Sequence, residues 1–417
     1  MNLRDREWLV FTVATAVALV HALDDAVLNR QPGVPIGEHA LAALVSAAAG
    51  LAAIAAFPRL RPGVRATIAF AFGVFAGANG GQHVAHVAAD GPSESDLTGL
   101  VATAAGIVLV GLSLWIPFRH RGERAATRRR RWANRVIAAL ALAGLVYYFV
   151  MPVAFAMVVT HKYREPIGAP PSGPYREVTF RASDGLRLSG WYVPSRNRAA
   201  VIVVHGGGGD RTGGVDHARL LARHGYGVLL YDSRGRGESE GSPNALGWEW
   251  PRDVAGAVEF LRDRPEIDPE RLGGLGLSTG ADVLIEFVAE GGDLKAVVSD
   301  GATGRSVEDQ LNAEGFNEAV PYFFTLISAV RVITSSSPDE PLKELVSDVS
   351  PTPLLLIAAG RGVRGERAFN RVYFEAARDP VELWDLPDVN HTAAIRERPQ
   401  EYERRVVGLF ERSLLGR

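Results

Sequence analysis

The chain has 417 residues, a length that accommodates two domains. Its 45 Lys and Arg nearly balance its 47 Asp and Glu, so it carries no electrostatic footprint for nucleic acid. It has no cysteine, which excludes disulfides, thiolate catalysis and cysteine-ligated metals.

Five apolar runs fill the first 160 residues: Trp8–Leu23, Gly37–Phe57, Ala66–Ala88, Leu97–Phe118 and Val136–Thr160. Each is close to the about 20 residues a helix needs to cross the hydrocarbon core. A soluble bundle would show charged faces at the helical period, whereas these runs are apolar nearly all round. They predict an all-α domain of five transmembrane helices over residues 1–160, rich in the small residues that let helices pack closely in lipid. Pro152 predicts a kink in the fifth. The first run, followed by four more, does not read as a cleaved signal peptide.

Orientation follows from the loops. Arg59, Arg61 and Arg65 fall between runs two and three, and the block "RHRGERAATRRRRWANR" falls between runs four and five. "DGPSESD", between runs three and four, is acidic. Arginine-rich short loops stay in the cytoplasm. The expectation is a plasma-membrane protein with a cytoplasmic N-terminus and, after five spans, an extracytoplasmic C-terminal domain.

Ionisable residues gather at one end of this region. His21, Asp24 and Asp25 ("HALDD") share a helical face, as do His83, His86 and Asp90 ("HVAHVAAD"). Glu38, His39 and His161 fall at the same end. Histidine with carboxylate at helical spacing suits a divalent metal. A solvated interfacial girdle is the simpler reading, because helix ends meet water; a lipid head group is a third occupant.

Residues 161–174, "HKYREPIGAPPSGP", predict a stiff linker. From residue 175 the pattern changes to strands alternating with helices. "REVTFRA" and "LRLSGWYV" flank a turn at Asp184-Gly185. "AAVIVVH", "YGVLLYD", "RLGGLGL", "LKAVVSD", "PTPLLLIAAG" and "PVELWDLP" read as further strands, with helical text between them. This alternation predicts a mainly parallel sheet covered by helices on both faces. Ser278 stands between a strand and a helix in "GLSTG". Small neighbours permit a sharp turn there, and the N–H of Thr279 can point at a developing oxyanion.

With "HGGGGD" at His205–Asp210, "YDSRGRGESEG" at Tyr231–Gly241, "GLSTG" at 276–280 and "DVNHT" around His391, residues 175–417 resemble the α/β-hydrolase family. The resemblance implies Ser278 as nucleophile, His391 as general base, and Gly206 or Gly207 as the second oxyanion donor beside Thr279. It implies a shaping role for His205 and an architectural role for the turn holding Asp232, Arg234 and Ser239. The family's acid usually falls near Val363. Here "AAGRGVRGERAFN" offers only Glu366, which orients an imidazole as well as an aspartate does, or else caps the following helix. Asp300, at the end of an earlier strand, is the second candidate; Asp385 and Asp388 are close to His391 in sequence alone.

Residues 301–350 are expected to form a cap insertion. Its apolar run "AVPYFFTLISAVRVI" either covers the active site or dips into the membrane interface; these two readings come ahead of a sixth span, which would strand the two halves of the sheet on opposite sides of the membrane. Phe316, Tyr322, Phe323 and Phe324 line an acyl site or make the cap's own core. The expected function is a membrane-anchored serine esterase working through an acyl-Ser278 intermediate. The substrate expected is a small-molecule, lipid or cell-envelope ester. The chemistry needs no cofactor, and membrane lipids are the expected surroundings. Peptidase, acyltransferase, and non-catalytic scaffold or transport roles are the alternatives.

Overall fold

The computed structural model describes residues 3–30, 32–35, 37, 39–91, 93, 96–119, 128–160, 167–314, 317, 319–338, 340–363 and 365–417. The chain forms two compact units. The first comprises Met1–Arg30, Val34–Tyr163 and Pro321–Ser335; the second comprises Gln31–Gly33, Arg164–Val320 and Ser336–Arg417.

The first unit is helical: α1 (Leu3–Val27), α2 (Ala40–Ala56), α3 (Pro62–Asp90), α4 (Asp96–Arg119), α5 (Arg128–Leu145) and α6 (Met151–Thr160). A π-turn at Val146–Val150 joins α5 to α6, directly ahead of Pro152. Proline lacks the N–H that would continue the helical ladder, and the wider turn accommodates the break. Among the described residues, four helices are long and apolar enough to cross a membrane: Arg4–Val27, Ala40–Arg59, Asp96–Pro117 and Ala139–Thr160. The sequence predicted five. The difference is α3, which is 29 residues long but is diluted by Arg65, Asn79, Gln82, His83 and His86. Arg65, Gln82, His83 and His86 have partners inside the unit. The buried Arg65 donates to Glu7 at 2.6 Å, so it is not a free loop charge. Helices α3 and α4 pack backbone to backbone: a Cβ at Gly106 would lie 2.8 Å from the Gly73 carbonyl, and one at Gly73 would lie 2.9 Å from that of Gly106. Phe11 stacks on Phe57 with ring centroids 4.2 Å apart, at the centre of a core that includes Ala69, Leu109 and Ile116.

The second unit is an eight-stranded sheet in the order β1-β2-β4-β3-β5-β6-β7-β8. Its strands are β1 (Arg176–Arg181), β2 (Arg187–Val193), β3 (Ala200–Val204), β4 (Gly227–Tyr231), β5 (Leu272–Leu277), β6 (Val297–Asp300), β7 (Leu354–Arg361) and β8 (Val381–Asn390). β1 and β2 form the antiparallel hairpin expected around Gly185, whose φ of +89° suits only glycine without strain. From β4 to β8 all neighbours run parallel. Alternate residues of one strand feed opposite cores: Ile202 and Val204 belong to one cluster, Val201 and Val203 to the other. Helices α8 (Pro251–Arg262) and α9 (Thr279–Ala289) contribute to the first through Val254, Val283 and Leu284. Helices α7 (Val215–Arg223) and α15 (Pro399–Phe410) contribute to the second through Leu221, Val406 and Phe410. Burial of each such side chain stabilises the fold by about 1.5–3 kcal/mol.

The predicted insertion holds α10 (Val307–Glu314), α11 (Val320–Thr334) and α12 (Leu342–Leu345). α13 (Glu366–Ala376) and α14 (Ala394–Glu397) complete the helices. Most of α11 clusters with the first unit. The Tyr322 ring lies 5.6 Å from that of Tyr147, and His39 Nδ1–H donates to the Ile333 carbonyl at 3.1 Å. Phe324 is exposed, and Phe316 lies outside the described residues.

Candidate active site

The carboxyl ends of five parallel strands supply the site, as is general for open α/β sheets. β5 ends at Leu277 and α9 begins at Thr279, leaving Ser278 alone on the turn, at φ 53° and ψ −122°. A non-glycine residue held there costs of order 1–3 kcal/mol, and such strain is characteristic of a reactive position. The flanking glycines explain how the turn closes. A Cβ at Gly276 would overlap the Gly280 backbone, and one at Gly280 would press on the His205 carbonyl. The Ser278 N–H donates to the Asp300 carbonyl at 2.8 Å, pinning the turn to β6.

The loop after β3 lies against this turn. A Cβ on Gly206 would come within 3.3 Å of Ser278 Cβ, and one on Gly207 within 2.7 Å of Thr279 Oγ1. The Thr279 hydroxyl donates to the Ala245 carbonyl at 3.0 Å. His205 holds the loop. Its Nε2 accepts from the Ser233 N–H at 3.0 Å, so its Nδ1 carries the proton and donates to the Gly206 carbonyl at 2.8 Å. Complete burial pushes its pKa down, which keeps the ring neutral and structural.

His391 follows β8, and its Nδ1–H donates to Glu366 Oε2 at 2.6 Å. The other oxygen, Glu366 Oε1, accepts from the Ala359 N–H at 2.7 Å. Glu366 is also the first residue of α13, so the helix-start and imidazole-partner readings hold together. Its side chain is 1% exposed and that of His391 is 24% exposed. Gly365, at φ 84°, turns the chain just before it, and a Cβ at Gly362 would collide with its carboxylate. The imidazole lies over Gly301: a Cβ there would be 2.9 Å from His391 Cε1.

Asp300 is buried beside this pair. Burial pushes its pKa up to about 7, and the Glu366 carboxylate adds to the rise, while the Tyr402 hydroxyl and His391 oppose it. Asp385 is held by Arg367 and Arg371, and Asp388 by Arg398. Sequence reasoning did not single out Gly301 or the Ala359 N–H. Neither carries a side-chain signature, and both act by position.

The turn after β4 is a buried ionic frame. Arg211 donates to Asp232 at 2.7 Å, and Arg234 to Asp253 at 2.7 Å. Ser239 Oγ donates to the Asp232 carbonyl at 2.6 Å.

In the first unit, His21, Asp25 and His83 offer ligand atoms all within 4.8 Å of one another. His86 pairs instead with Asp96, and Asp24 accepts from Thr98 and Asn29. Asp96 was missed because it was read only as part of an acidic loop. Glu38, His161 and the side chain of Asp90 lie outside the described residues.

The sheet order, the strained serine turn and the imidazole–carboxylate pair define a serine hydrolase. Residues 195–332 match the family model Hydrolase_4, serine aminopeptidase, S33. YfhR of Escherichia coli (strain K12) is 28% identical over 229 residues, covering 53% of this chain and 75% of its own. Thiohydrolase aneE of Aspergillus aculeatus is 30% identical over 191 residues, covering 43% of this chain and 58% of its own. The crystal structure of the α/β hydrolase GrgF from Penicillium sp. sh18 aligns with a TM-score of 0.50 at 21% identity, covering 58% of this chain and all of that one. The chain thus carries a domain with the α/β-hydrolase fold, of which residues 195–332 match the hydrolase family model.

Proposed function

We propose that the protein is a membrane-anchored serine hydrolase that cleaves carboxylic esters, or thioesters, through an acyl-Ser278 intermediate. The observation that carries this reading is the 2.6 Å bond from His391 Nδ1 to Glu366, which leaves Nε2 as the basic nitrogen. Ser278 Oγ attacks the substrate carbonyl and its proton passes to Nε2. The Thr279 N–H, with that of Gly206 or Gly207, stabilises the oxyanion. His391 then gives the proton to the departing alcohol or thiol. A water molecule, deprotonated by the same nitrogen, releases the acid and restores Ser278. Glu366 holds the imidazole in place and stabilises the imidazolium that forms.

The four long apolar helices support membrane association. We take α3 as a fifth crossing because its polar side chains pair inward along α1: Arg65 with Glu7 at one end, His83 beside Asp25 at the other. On this reading the arginine-rich loops lie in the cytoplasm and the hydrolase unit, after five crossings, lies outside, with lipid or envelope acyl esters as its substrate class. A peptidase reading uses the same residues and is favoured by the description of the matching family model.

The test is labelling of the detergent-purified protein by a fluorophosphonate, with Ser278→Ala and His391→Ala alongside. Labelling that needs both residues supports the hydrolase. A panel of p-nitrophenyl esters, thioesters and aminoacyl-naphthylamides then separates esterase from peptidase. A folded wild type that does not label abandons the reading in favour of a scaffold or transport role.

A further inference from the structure

The helical unit contains a second constellation, 100 residues or more away in sequence from any residue of the serine site. α1 and α3 end where α4 begins, and their last turns bring His21, Asp25 and His83 together. His21 Nε2 lies 3.5 Å from Asp25 Oδ2, and His83 Nε2 lies 3.9 Å from Asp25 Oδ1. The two imidazoles meet edge to face with centroids 4.9 Å apart.

The surrounding bonds fix which nitrogen faces inward. Thr98 has one hydroxyl proton, and it goes to Asp24 at 2.6 Å. Toward His21 Nδ1, 3.1 Å away, Thr98 therefore accepts. The His21 proton must sit on Nδ1, so Nε2 presents a lone pair. That nitrogen is buried, has no hydrogen-bond partner and faces a carboxylate. His83 Nδ1 lies 3.2 Å from Asp96, which as a carboxylate only accepts, so its Nε2 also presents a lone pair toward Asp25 when the ring is neutral. With both rings neutral, lone pairs of two imidazoles and one carboxylate thus converge, an arrangement that repels unless a metal ion or a shared proton lies between them.

We propose that His21, His83 and Asp25 bind a divalent metal of the zinc class. Two nitrogens and one carboxylate oxygen form a three-ligand set that leaves a tetrahedral ion one open position. Ligands at about 2.0–2.1 Å around such an ion are separated by roughly 3.4 Å, close to the spacing between His21 and Asp25. Both ligand histidines have the other ring nitrogen held, His21 by Thr98 and His83 by Asp96, the outer-shell pattern that orients metal-binding imidazoles. Asp24 and Asp96 stand one bond further out and offset the positive charge. Gly99 of α4 makes the room: a Cβ there would overlap the His83 ring. Ionisable groups among apolar spans are costly to retain, which favours a binding role over a solvated fringe; His21 is 1% exposed and His83 is 5% exposed.

The experiment measures zinc in the full-length protein in detergent, after loading with zinc and dialysis against zinc-free buffer. The expected result is about one zinc per chain in the wild type and in Ser278→Ala. The content should fall at least about fivefold in His21→Gln, His83→Gln and the nearly isosteric Asp25→Asn. Zinc should raise the Tm of the wild type but not of Asp25→Asn. No retained zinc in the wild type overturns the proposal, and leaves a shared proton between His21 and Asp25. Zinc retained equally by the His21→Gln/His83→Gln pair makes it an adventitious ion only. If the histidine variants fail to fold, Asp25→Asn decides alone: full zinc content there overturns the site. None of these readouts depends on hydrolysis, so they stand whether or not Ser278 proves reactive.

Discussion

Glu366 and His391 are 25 residues apart in sequence and hydrogen-bonded at 2.6 Å in space. The glutamate reaches the imidazole from the first turn of α13, while its second oxygen is anchored on the Ala359 N–H of β7. The carboxylate is thus held at both ends, and the ring it orients has one tautomer.

That geometry ranks the acids. Glu366→Gln should lower kcat by roughly 10²–10⁴, because an amide no longer stabilises the imidazolium or selects its tautomer. Glu366→Asp retracts the carboxylate by one methylene and should fall between. Asp300→Asn should stay within about tenfold of wild type. Steady-state ester hydrolysis and fluorophosphonate labelling rates check this; the reverse order would make Asp300 the acid.

Asp300 itself sets a stability profile. Its folded pKa of about 7 lies above the ordinary carboxylate value. Between about pH 4 and 7 the folded protein keeps a proton that the unfolded chain has released. Stability contributed by this group is therefore full at the acid end and lost as pH rises through that window. At ~1.4 kcal/mol per pKa unit the loss is of the order of a few kcal/mol. Asp300→Asn should flatten the decline and unfold at a higher temperature than wild type at pH 8. Parallel Tm–pH curves for the two proteins would contradict it.

Strain at Ser278 separates activity from stability. Ser278→Ala and Ser278→Gly should both abolish labelling. Only the glycine variant relieves the positive φ, so it should be the more stable of the two by about 1 kcal/mol. Thermal unfolding of the pair measures the difference, and equal Tm values would mean the turn is not strained.

The buried frame behind the site should be fragile in one direction. Arg234 is bonded to Asp253, whose pKa burial pushes up while the guanidinium pulls it down. Arg234→Ala strands that carboxylate and should cost roughly 3–5 kcal/mol. Arg234→Met combined with Asp253→Leu should recover most of the loss, since neither charge is then left alone. Unfolding midpoints of the single and double variants test it; a double variant no better than the single one counts against pairing as the cause.

Local text carried much of this molecule. Ser278 was legible because strand, glycine-flanked turn and helix are consecutive, and steric rules act over a few residues. The sheet was legible for a similar reason: buried parallel strands are short apolar runs between helical ones. The long apolar helices were legible from length and composition, but α3 does not stand out by composition alone. Its Gln82, His83 and His86 weaken the apolar signal, and they are tolerated because α1, α4 and α6 supply partners.

What only the tertiary structure decided involves partners far apart along the chain. Glu366 and Asp300 both follow strands and both sat near the expected place for an acid. Side-chain reach and burial separated them, giving one the imidazole and leaving the other protonatable in the interior. Asp96 looked like a loop charge until α3 and α4 were folded back to back, which put it between His83 and His86. The run from Ala319 reads in sequence as a cap over the site or a segment dipping into the membrane interface, and its cluster with the helical unit appears only once Tyr322 meets Tyr147. Propensity and periodicity are written within a few turns of chain. Which carboxylate meets which imidazole depends on strand register and helix packing across hundreds of residues, and no local pattern encodes it.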